Sequence, residues 1–251
     1  MVIEYKDGAT DTLLSDDSWK YSTGPIVFDQ LRNGETYDAN LELTGWNQTG
    51  YDDSEWQQAS VVNGPEGILS KQVMPHIKKT KSLTPKYISE PKPGIYLVDF
   101  GQNISGWAKI RIHEKKGIEV VMKYGERIYD DGRLDQKELS RFIFTGKTQT
   151  TTYISNGRPA QEYETRFTYF GFQYVQIEVL KEKPGKEDIE ACMIHTVFDT
   201  TGYFSCSNPL INKIYENIRW SYLGNYHSFP EDCPHREKMG WTGDAQLVVE
   251  T

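Results

Sequence analysis

The chain has 251 residues, a net charge of −8 and 13% aromatic residues. Its acidic residues are spread along the sequence without any stripe of Lys or Arg, which argues against a nucleic-acid partner, and no apolar run is long enough to span a membrane. The three cysteines, Cys192, Cys206 and Cys233, form an odd set without regular spacing, which argues against a disulfide framework.

Residues 1–200 are predicted to be β. Short runs rich in Val, Ile, Tyr and Thr alternate with turn residues, and no helical period separates them, which favours antiparallel β-sandwiches. Cys192 falls in such a run and is expected to be a core thiol. The predicted strands are Pro25–Leu31, Tyr37–Leu43, Ile95–Phe100, Trp107–His113, Ile118–Tyr124, Gln149–Ile154, Phe172–Leu180 and Ile189–Val197.

The segment Ser82–Gly94 contains three prolines and is predicted to be a linker between two β-domains, at residues 1–88 and 89–200. A second long loop is expected at Asp130–Gly146. Glycines such as Gly101 and Gly106 are expected to serve turns.

The sequence period changes after Thr201. Asn208 suits a helix N-cap and Pro209 suits the first helical position, so a helix is predicted to start there. Its apolar positions recur every four residues, which is typical of an amphipathic helix of about four turns; they are Leu210, Ile214, Ile218 and Tyr222. A second helix is predicted from Asp244 through Val249. Two helices cannot bury these faces alone, so residues 201–251 are expected to open a larger helical domain.

The segment Glu231–Gln246 carries the candidate chemistry. Its candidate carboxylates are Asp232, Glu237 and Asp244, with Arg236 and Trp241 between them. A carboxylic acid can protonate a glycosidic oxygen, neighbouring carboxylates can bind sugar hydroxyls, and an indole offers a flat apolar wall. The spacing therefore favours a site that grips and cleaves a sugar.

This segment resembles the signature of bacterial α-L-rhamnosidases, glycoside hydrolase family 78, with His235 where the family more commonly has Gln. Further segments resemble the family's β-domains and the start of its helical domain. They are Asn33–Ala39, Gly45–Trp46, Asp52–Trp56, Asp99–Trp107, Phe167–Val175 and Gly202–Asn208. The resemblance implies a mainly β chain, with two antiparallel sandwiches followed at residue 201 by the first helices of an (α/α)6 barrel. Because residues 201–251 are too few for twelve helices, the barrel is expected to be incomplete and the chain to be an internal fragment.

The resemblance also implies an inverting glycosidase that removes terminal α-L-rhamnosyl residues from glycosides or polysaccharides. Glu237 would be its general acid, and its general base would be a glutamate beyond Thr251, so the isolated chain is expected to be inactive. The residues implied to bind rhamnose are Asp232, Arg236, Trp241 and Asp244. No cofactor or metal is implied. The first residues lack the features of a signal peptide. The sequence determines neither the compartment nor the oligomeric state.

Alternatives stay open for these residues. Glu237 could be a surface glutamate of a helix, and Asp232 and Asp244 could be helix N-caps. Cys233 with His235 could suggest a thiol nucleophile.

Four side chains could hold a metal, although in an unfamiliar spacing: His227, Glu231, Cys233 and His235. Three tryptophans could line a sugar-binding face, but core packing is the favoured interpretation; they are Trp46, Trp56 and Trp107. For the whole chain, the alternative is a non-catalytic carbohydrate-binding or structural β-module.

Overall fold

The computed structural model describes residues 1–143 and 146–247. The chain divides into two compact units. The first comprises Met1–Pro25 and Leu41–Lys71, and the second comprises Ile26–Asn40 and Gln72–Thr251. The prediction of a mainly β chain is confirmed, and no helix in the described part of the chain is long and apolar enough to cross a membrane.

The elements follow one another along the chain in this order. The strands are β1 (Val2–Glu4), β2 (Thr10–Thr12), β3 (Lys20–Tyr21), β4 (Ile26–Gln30), β5 (Gly34–Asp38), β6 (Gln57–Gln58), β7 (Ile77–Leu83), β8 (Tyr87–Lys92), β9 (Ile95–Ile112), β10 (Glu119–Gly125), β11 (Arg127–Ile128), β12 (Leu134–Asp135), β13 (Thr150–Ile154), β14 (Gln161–Tyr163), β15 (Phe170–Glu178), β16 (Ile189–Thr196), β17 (Tyr226–His227) and β18 (Phe229–Pro230). The α-helices are α1 (Pro209–Gly224) and α2 (Thr242–Gln246), and short 3₁₀ turns occupy Ala39–Leu41 and Leu139–Phe142.

The first unit consists of short antiparallel pairs joined by turns. β1 pairs with β2, and β3 pairs with β6. The Trp19 indole donates to the Leu14 carbonyl at 2.9 Å, and Lys20 pairs with Asp53 at 2.9 Å. Trp46 is 60% exposed, so the expectation that it packs in a core is wrong.

The second unit is built on a ten-stranded sheet. Its order is β4-β5-β13-β10-β15-β9-β16-β7, with β8 and β14 also paired to β9. β5 and β13 run parallel, with Gly34 opposite Thr150, whereas the other pairs in the sheet are antiparallel. The parallel pair brings the segment Ile26–Asn40 from the N-terminal third of the sequence into this sheet.

The longest strand, β9, combines two segments that the sequence predicts as separate strands. The predicted strands at Ile95–Phe100 and Trp107–His113 belong to the single 18-residue strand β9. Gly101 and Gly106, expected in turns, lie inside it with φ of +70° and +153°. At Gly106 a Cβ would lie 1.8 Å from the Cys192 carbonyl oxygen, so the absence of a side chain lets the two backbones approach closely and β9 continues through both glycines.

Two other sequence predictions are wrong. The predicted strand Tyr37–Leu43 is instead β5 at Gly34–Asp38 followed by a 3₁₀ turn. The predicted linker Ser82–Gly94 contains the end of β7 and all of β8, which pairs with β9. Its Pro91 lies where the register shifts on a strand with one partner, a position where a missing N–H costs no ladder bond.

Apolar side chains on one face of the sheet form the core. Alternate residues of β10 and β15, such as Met122 and Ile177, are fully buried, as the two-residue period requires. The Tyr124 and Phe170 rings stack with centroids 4.2 Å apart, and Trp107 packs partly buried against the same cluster. Cys192 is buried in β16, as expected of a core thiol.

Helix α1 begins where the sequence indicates. The Asn208 side-chain oxygen accepts from the Leu210 N–H at 2.9 Å, and Pro209 takes the first position. Trp220 and Leu223 pack against the core, while Leu210 is 67% exposed. Helix α2 begins two residues before the predicted start, and the end of that prediction lies outside the described residues.

Candidate active site

The sequence-predicted carboxylates lie on and beside a loop that Asp232 closes. The Asp232 N–H donates to the Met239 carbonyl at 3.1 Å, and Asp232 Oδ1 accepts from the Met239 N–H at 3.1 Å. Its Oδ2 accepts from the Cys233 thiol at 3.2 Å. Because turns follow Asp232, the alternative that it is a helix N-cap is wrong.

Glu237 lies in a turn of this loop, so the alternative of a helical surface glutamate is also wrong. Its side chain is 19% exposed. The Trp241 indole Nε1 donates to Oε2 at 3.1 Å, and Arg236 Nη2 lies 3.4 Å from Oε1. Each carboxylate oxygen therefore faces one donor from the loop that carries it.

The backbone of Glu237 is fixed from two sides. Its N–H donates to the Cys233 sulfur at 3.3 Å. Its carbonyl accepts from Arg32 twice, from Nε at 3.1 Å and from Nη2 at 2.7 Å. Arg32 stands in the turn between β4 and β5, 205 positions earlier in the sequence.

Lys238, the next residue, anchors the loop in the protein interior. It is 5% exposed and has a φ of +54°, a left-handed conformation that is uncommon outside glycine. Its Nζ donates to the carbonyl oxygens of Leu31 and Tyr169. Burial lowers the pKa of Lys238 to about 7, against the opposing effect of the nearby Glu231 charge.

A buried polar network lies beside the Lys238 anchor. Glu231 accepts from the Tyr169 hydroxyl at 2.5 Å and contacts His227 Nδ1 at 3.2 Å. The other nitrogen of His227, Nε2, lies 2.9 Å from the Ser105 hydroxyl. Burial, followed by the Glu231 charge, raises the pKa of Tyr169 well above its ordinary value, so its hydroxyl keeps its proton and donates.

These contacts bear on the metal and thiol alternatives. Both ring nitrogens of His227 face protein partners, and His235 Nε2 lies 3.5 Å from Glu126. His235 Nδ1 accepts from the Arg236 N–H at 2.6 Å, so neither nitrogen is directed at Cys233. Burial raises the pKa of the Cys233 thiol, which disfavours the thiolate that a nucleophile requires. The geometry supports neither alternative.

The last two predicted binding residues lie at helix α2. Trp241 is the residue before the helix and is 52% exposed, and Asp244 stands inside the first turn, so the N-cap alternative for Asp244 is wrong. Among residues 1–143 and 146–247, none donates a hydrogen bond to the Asp244 carboxylate. A polar cleft of about 290 Å³ adjoins the loop, and its lining includes Glu126, His235 and Arg236.

The structure thus joins Glu237, Arg236 and Trp241 in one cluster and assigns Asp232 to the closure of the loop. Sequence reasoning missed Arg32 and Tyr169, which contact this segment from the turn after β4 and from the residue before β15. No local pattern marks either residue, since their roles arise from pairing across the sheet.

Three family models match the chain in consecutive order. They are the alpha-L-rhamnosidase N-terminal domain at residues 1–81, the bacterial alpha-L-rhamnosidase concanavalin-like domain at residues 89–195, and the bacterial alpha-L-rhamnosidase 6 hairpin glycosidase domain at residues 199–251.

Relatives and solved structures agree with these matches. An alpha-L-rhamnosidase of Formosa agariphila is 39% identical over 99% of this chain and 26% of its own length, and one of Streptomyces avermitilis is 34% identical over 99% and 24%. The structure of an alpha-L-rhamnosidase from Dictyoglumus thermophilum has a TM-score of 0.93 with 42% identity, over 99% of this chain and 28% of that one. The Streptomyces avermitilis enzyme complexed with L-rhamnose has a TM-score of 0.90 with 35% identity, over 96% and 23%. The chain spans about a quarter of the curated relatives' length. With its matched segments running in the same order as the family's domains, the chain belongs to the bacterial α-L-rhamnosidase family.

Proposed function

We propose that this chain supplies the general acid of an inverting α-L-rhamnosidase. The observation that carries the proposal is the Glu237 carboxylate, 19% exposed and flanked by donors from Trp241 and Arg236 on a loop with a fixed backbone. The substrates are glycosides or polysaccharides that end in an α-L-rhamnosyl residue. The relative from Streptomyces avermitilis, whose structure contains L-rhamnose, supports the choice of sugar.

Glu237 donates its proton to the glycosidic oxygen while the bond from that oxygen to the sugar carbon breaks. The Trp241 N–H and the Arg236 guanidinium then stabilise the carboxylate that remains. In an inverting enzyme a second carboxylate activates a water on the opposite face of the sugar ring. We assign that role, on family resemblance, to a glutamate beyond Thr251.

The rhamnose-binding residues in this proposal are Asp232, Arg236, Trp241 and Asp244. Asp244 is the best supported, because no described residue donates to its carboxylate and sugar hydroxyls are natural donors. Trp241 is half-exposed and offers an apolar ring face beside the acid. Asp232 and Arg236 already make contacts within the loop, so they bind sugar while holding the loop's shape.

The domain organisation belongs to the same proposal. Two β-sandwich domains, at residues 1–88 and 89–200, precede the start of an (α/α)6 barrel at residue 201. The order of the three family matches supports this division, and so does the exposed apolar face of α1, which requires further helices to cover it. The relatives are named as enzymes, so nothing favours the alternative of a non-catalytic binding or structural module.

The test is Glu237→Gln in the full-length protein, assayed on a natural rhamnoside and on an activated aryl rhamnoside. A sugar or alkyl alcohol leaves poorly without a proton, whereas a nitrophenolate needs little help. We expect a loss of about 10²–10⁴-fold in kcat on the natural substrate and a far smaller loss on the aryl one. Glu216→Gln on the exposed surface of α1 is the matched control. Equal losses on both substrates, with the fold intact, would remove Glu237 from the acid role.

Asp244→Asn separates binding from acid catalysis in the same assay. If Asp244 binds sugar hydroxyls, its loss weakens both substrates to a similar degree, because both carry the same rhamnose. A loss confined to the natural substrate would instead assign proton transfer to Asp244.

A further inference from the structure

Leu31–Arg32 and Glu237–Lys238 are joined by hydrogen bonds that run in both directions. In the turn after β4, Arg32 donates two hydrogen bonds to the backbone carbonyl of Glu237. In the opposite direction, the Lys238 ammonium or amine donates to the backbone carbonyl of Leu31. We call these contacts between Leu31–Arg32 and Glu237–Lys238 the clasp.

The turn side of the clasp is fixed to the sheet. The Thr150 N–H donates to the Asn33 carbonyl at 2.8 Å, and the Gln149 N–H donates to the Arg32 carbonyl at 3.3 Å. The Thr168 hydroxyl donates to the Leu31 carbonyl at 2.9 Å, beside the bond from Lys238. The guanidinium of Arg32 therefore projects from a backbone that the start of β13 and the loop before β15 hold in place.

The loop side of the clasp needs such support. Glu237 lies in turns without a helix or strand to hold it, and Lys238 has a left-handed φ of +54°. That conformation costs free energy for a residue with a side chain and persists where surrounding contacts determine it. A fork of two N–H groups on one carbonyl fixes both the position and the direction of the peptide that carries Glu237.

We infer that Arg32 is a positioning residue for the general acid, holding the Glu237 backbone so that its carboxylate meets the glycosidic oxygen. The inference rests on the proposed function. Arg32 touches the acid's main chain and leaves the carboxylate to Trp241 and Arg236. A turn within the segment matched by the family's N-terminal domain thus completes the site of the segment matched by its glycosidase domain.

The experiment compares Arg32→Lys, Arg32→Gln and Arg32→Ala in the full-length enzyme. Misplacing an acid by about 1 Å costs about 10²-fold, so we expect Arg32→Ala to lower kcat by about 10–100-fold on a natural rhamnoside and by only a few-fold on an aryl rhamnoside. KM on the aryl substrate should stay within about twofold, since Arg32 binds no sugar. Arg32→Lys retains one donor and should recover part of the loss. Arg111→Ala, which removes a half-exposed arginine paired with Glu162 and Asp188, is the control.

A double variant distinguishes positioning from a merely structural role. If Arg32 acts through the acid alone, Arg32→Lys adds little to Glu237→Gln on the natural substrate, because the group it positions no longer has a proton to give. Equal losses on both substrates, or fully additive losses in the double variant, would overturn the inference. If Glu237→Gln itself shows no dependence on the leaving group, the proposed function fails. If it does and the Arg32 variants do not, only the role of Arg32 falls.

Discussion

Tyr169 stacks on His227, with ring centroids 4.3 Å apart and 24° between the ring planes, and both side chains contact the same buried carboxylate, Glu231. Glu231 directly precedes the loop that carries the candidate acid, and its side chain is 2% exposed. A carboxylate so far from water is costly unless hydrogen bonds compensate it. The stack therefore holds two donors in place for one acceptor.

Removing one of these donors should destabilise the fold. Tyr169→Phe keeps the ring stack and deletes the hydroxyl that donates to Glu231, so we expect the free energy of unfolding to fall by about 1.5–3 kcal/mol, the range for a hydrogen bond to a charged group. Urea unfolding followed by circular dichroism measures it. Tyr203→Phe, at a residue that is 86% exposed, is the control. A loss no larger than that of the control would show that Glu231 does not depend on Tyr169.

Lys238 should make stability depend on pH above neutrality. Its folded pKa of about 7 lies below the ordinary lysine value of about 10.4, so between these values the unfolded chain holds a proton that the folded chain lacks. Stability then rises with pH across this window, by at most about 1.4 kcal/mol per pH unit, and below pH 7 the cost of burying the ammonium is fully present.

Lys238→Met isolates this effect from other titrating groups. We expect the difference in unfolding free energy between the natural chain and the variant to change steadily from pH 7 to pH 9, in favour of the natural chain. Urea unfolding at several pH values supplies the measurement. Parallel curves for the two proteins would mean that Lys238 keeps its ordinary pKa inside the fold.

Gly34 should be irreplaceable in the parallel pair of β5 and β13. Its φ is +128°, and a Cβ there would lie 1.8 Å from the Thr150 carbonyl oxygen. We expect Gly34→Ala to cost about 3 kcal/mol or more, because backbone must move on both strands. Gly117→Ala is the matched control: its φ is +82° with no atom within 4 Å, so it carries only the conformational cost of about 1–2 kcal/mol. Similar losses in chemical unfolding for the two variants would contradict the clash.

The 251-residue chain by itself should not hydrolyse rhamnosides at an enzyme-like rate. The proposed acid has neither its base nor an enclosed site to exclude water. Incubation with an aryl α-L-rhamnoside tests this, with Glu237→Gln as the control for contaminating activity. Turnover in the ordinary range of about 1–10³ s⁻¹, abolished by Glu237→Gln, would contradict it.

Local sequence patterns predicted much of this fold. Asn208 and Pro209 mark the start of α1 correctly, since a capping oxygen and a proline act within one turn of the chain. The strands β10, β13, β15 and β16 also lie, within about two residues at each end, where runs rich in Val, Ile, Tyr and Thr predicted them. The continuity of β9 could not be predicted, because Gly101 and Gly106 signal turns unless neighbouring strands hold the bent chain in the sheet.

Part of the candidate site could likewise be predicted from local sequence, and part could not. Glu237, Arg236 and Trp241 are close in sequence, so a motif of sixteen residues is enough to bring them together. Arg32 contacts Glu237 from the turn before β5, the strand that pairs in parallel with β13. Such a contact depends on the register of a parallel pair, which no local pattern specifies.

The parallel pair of β5 and β13 also sets an order of events during synthesis. More than a hundred residues separate Gly34 from Thr150, its partner in the sheet. At translation rates of about 5–20 residues per second, β5 leaves the ribosome several seconds before β13 exists. During that interval the hairpin of β4 and β5 presents an edge that no other part of the chain can yet cover. The arrival of β13 therefore decides when the segment Ile26–Asn40 acquires its final place in the sheet.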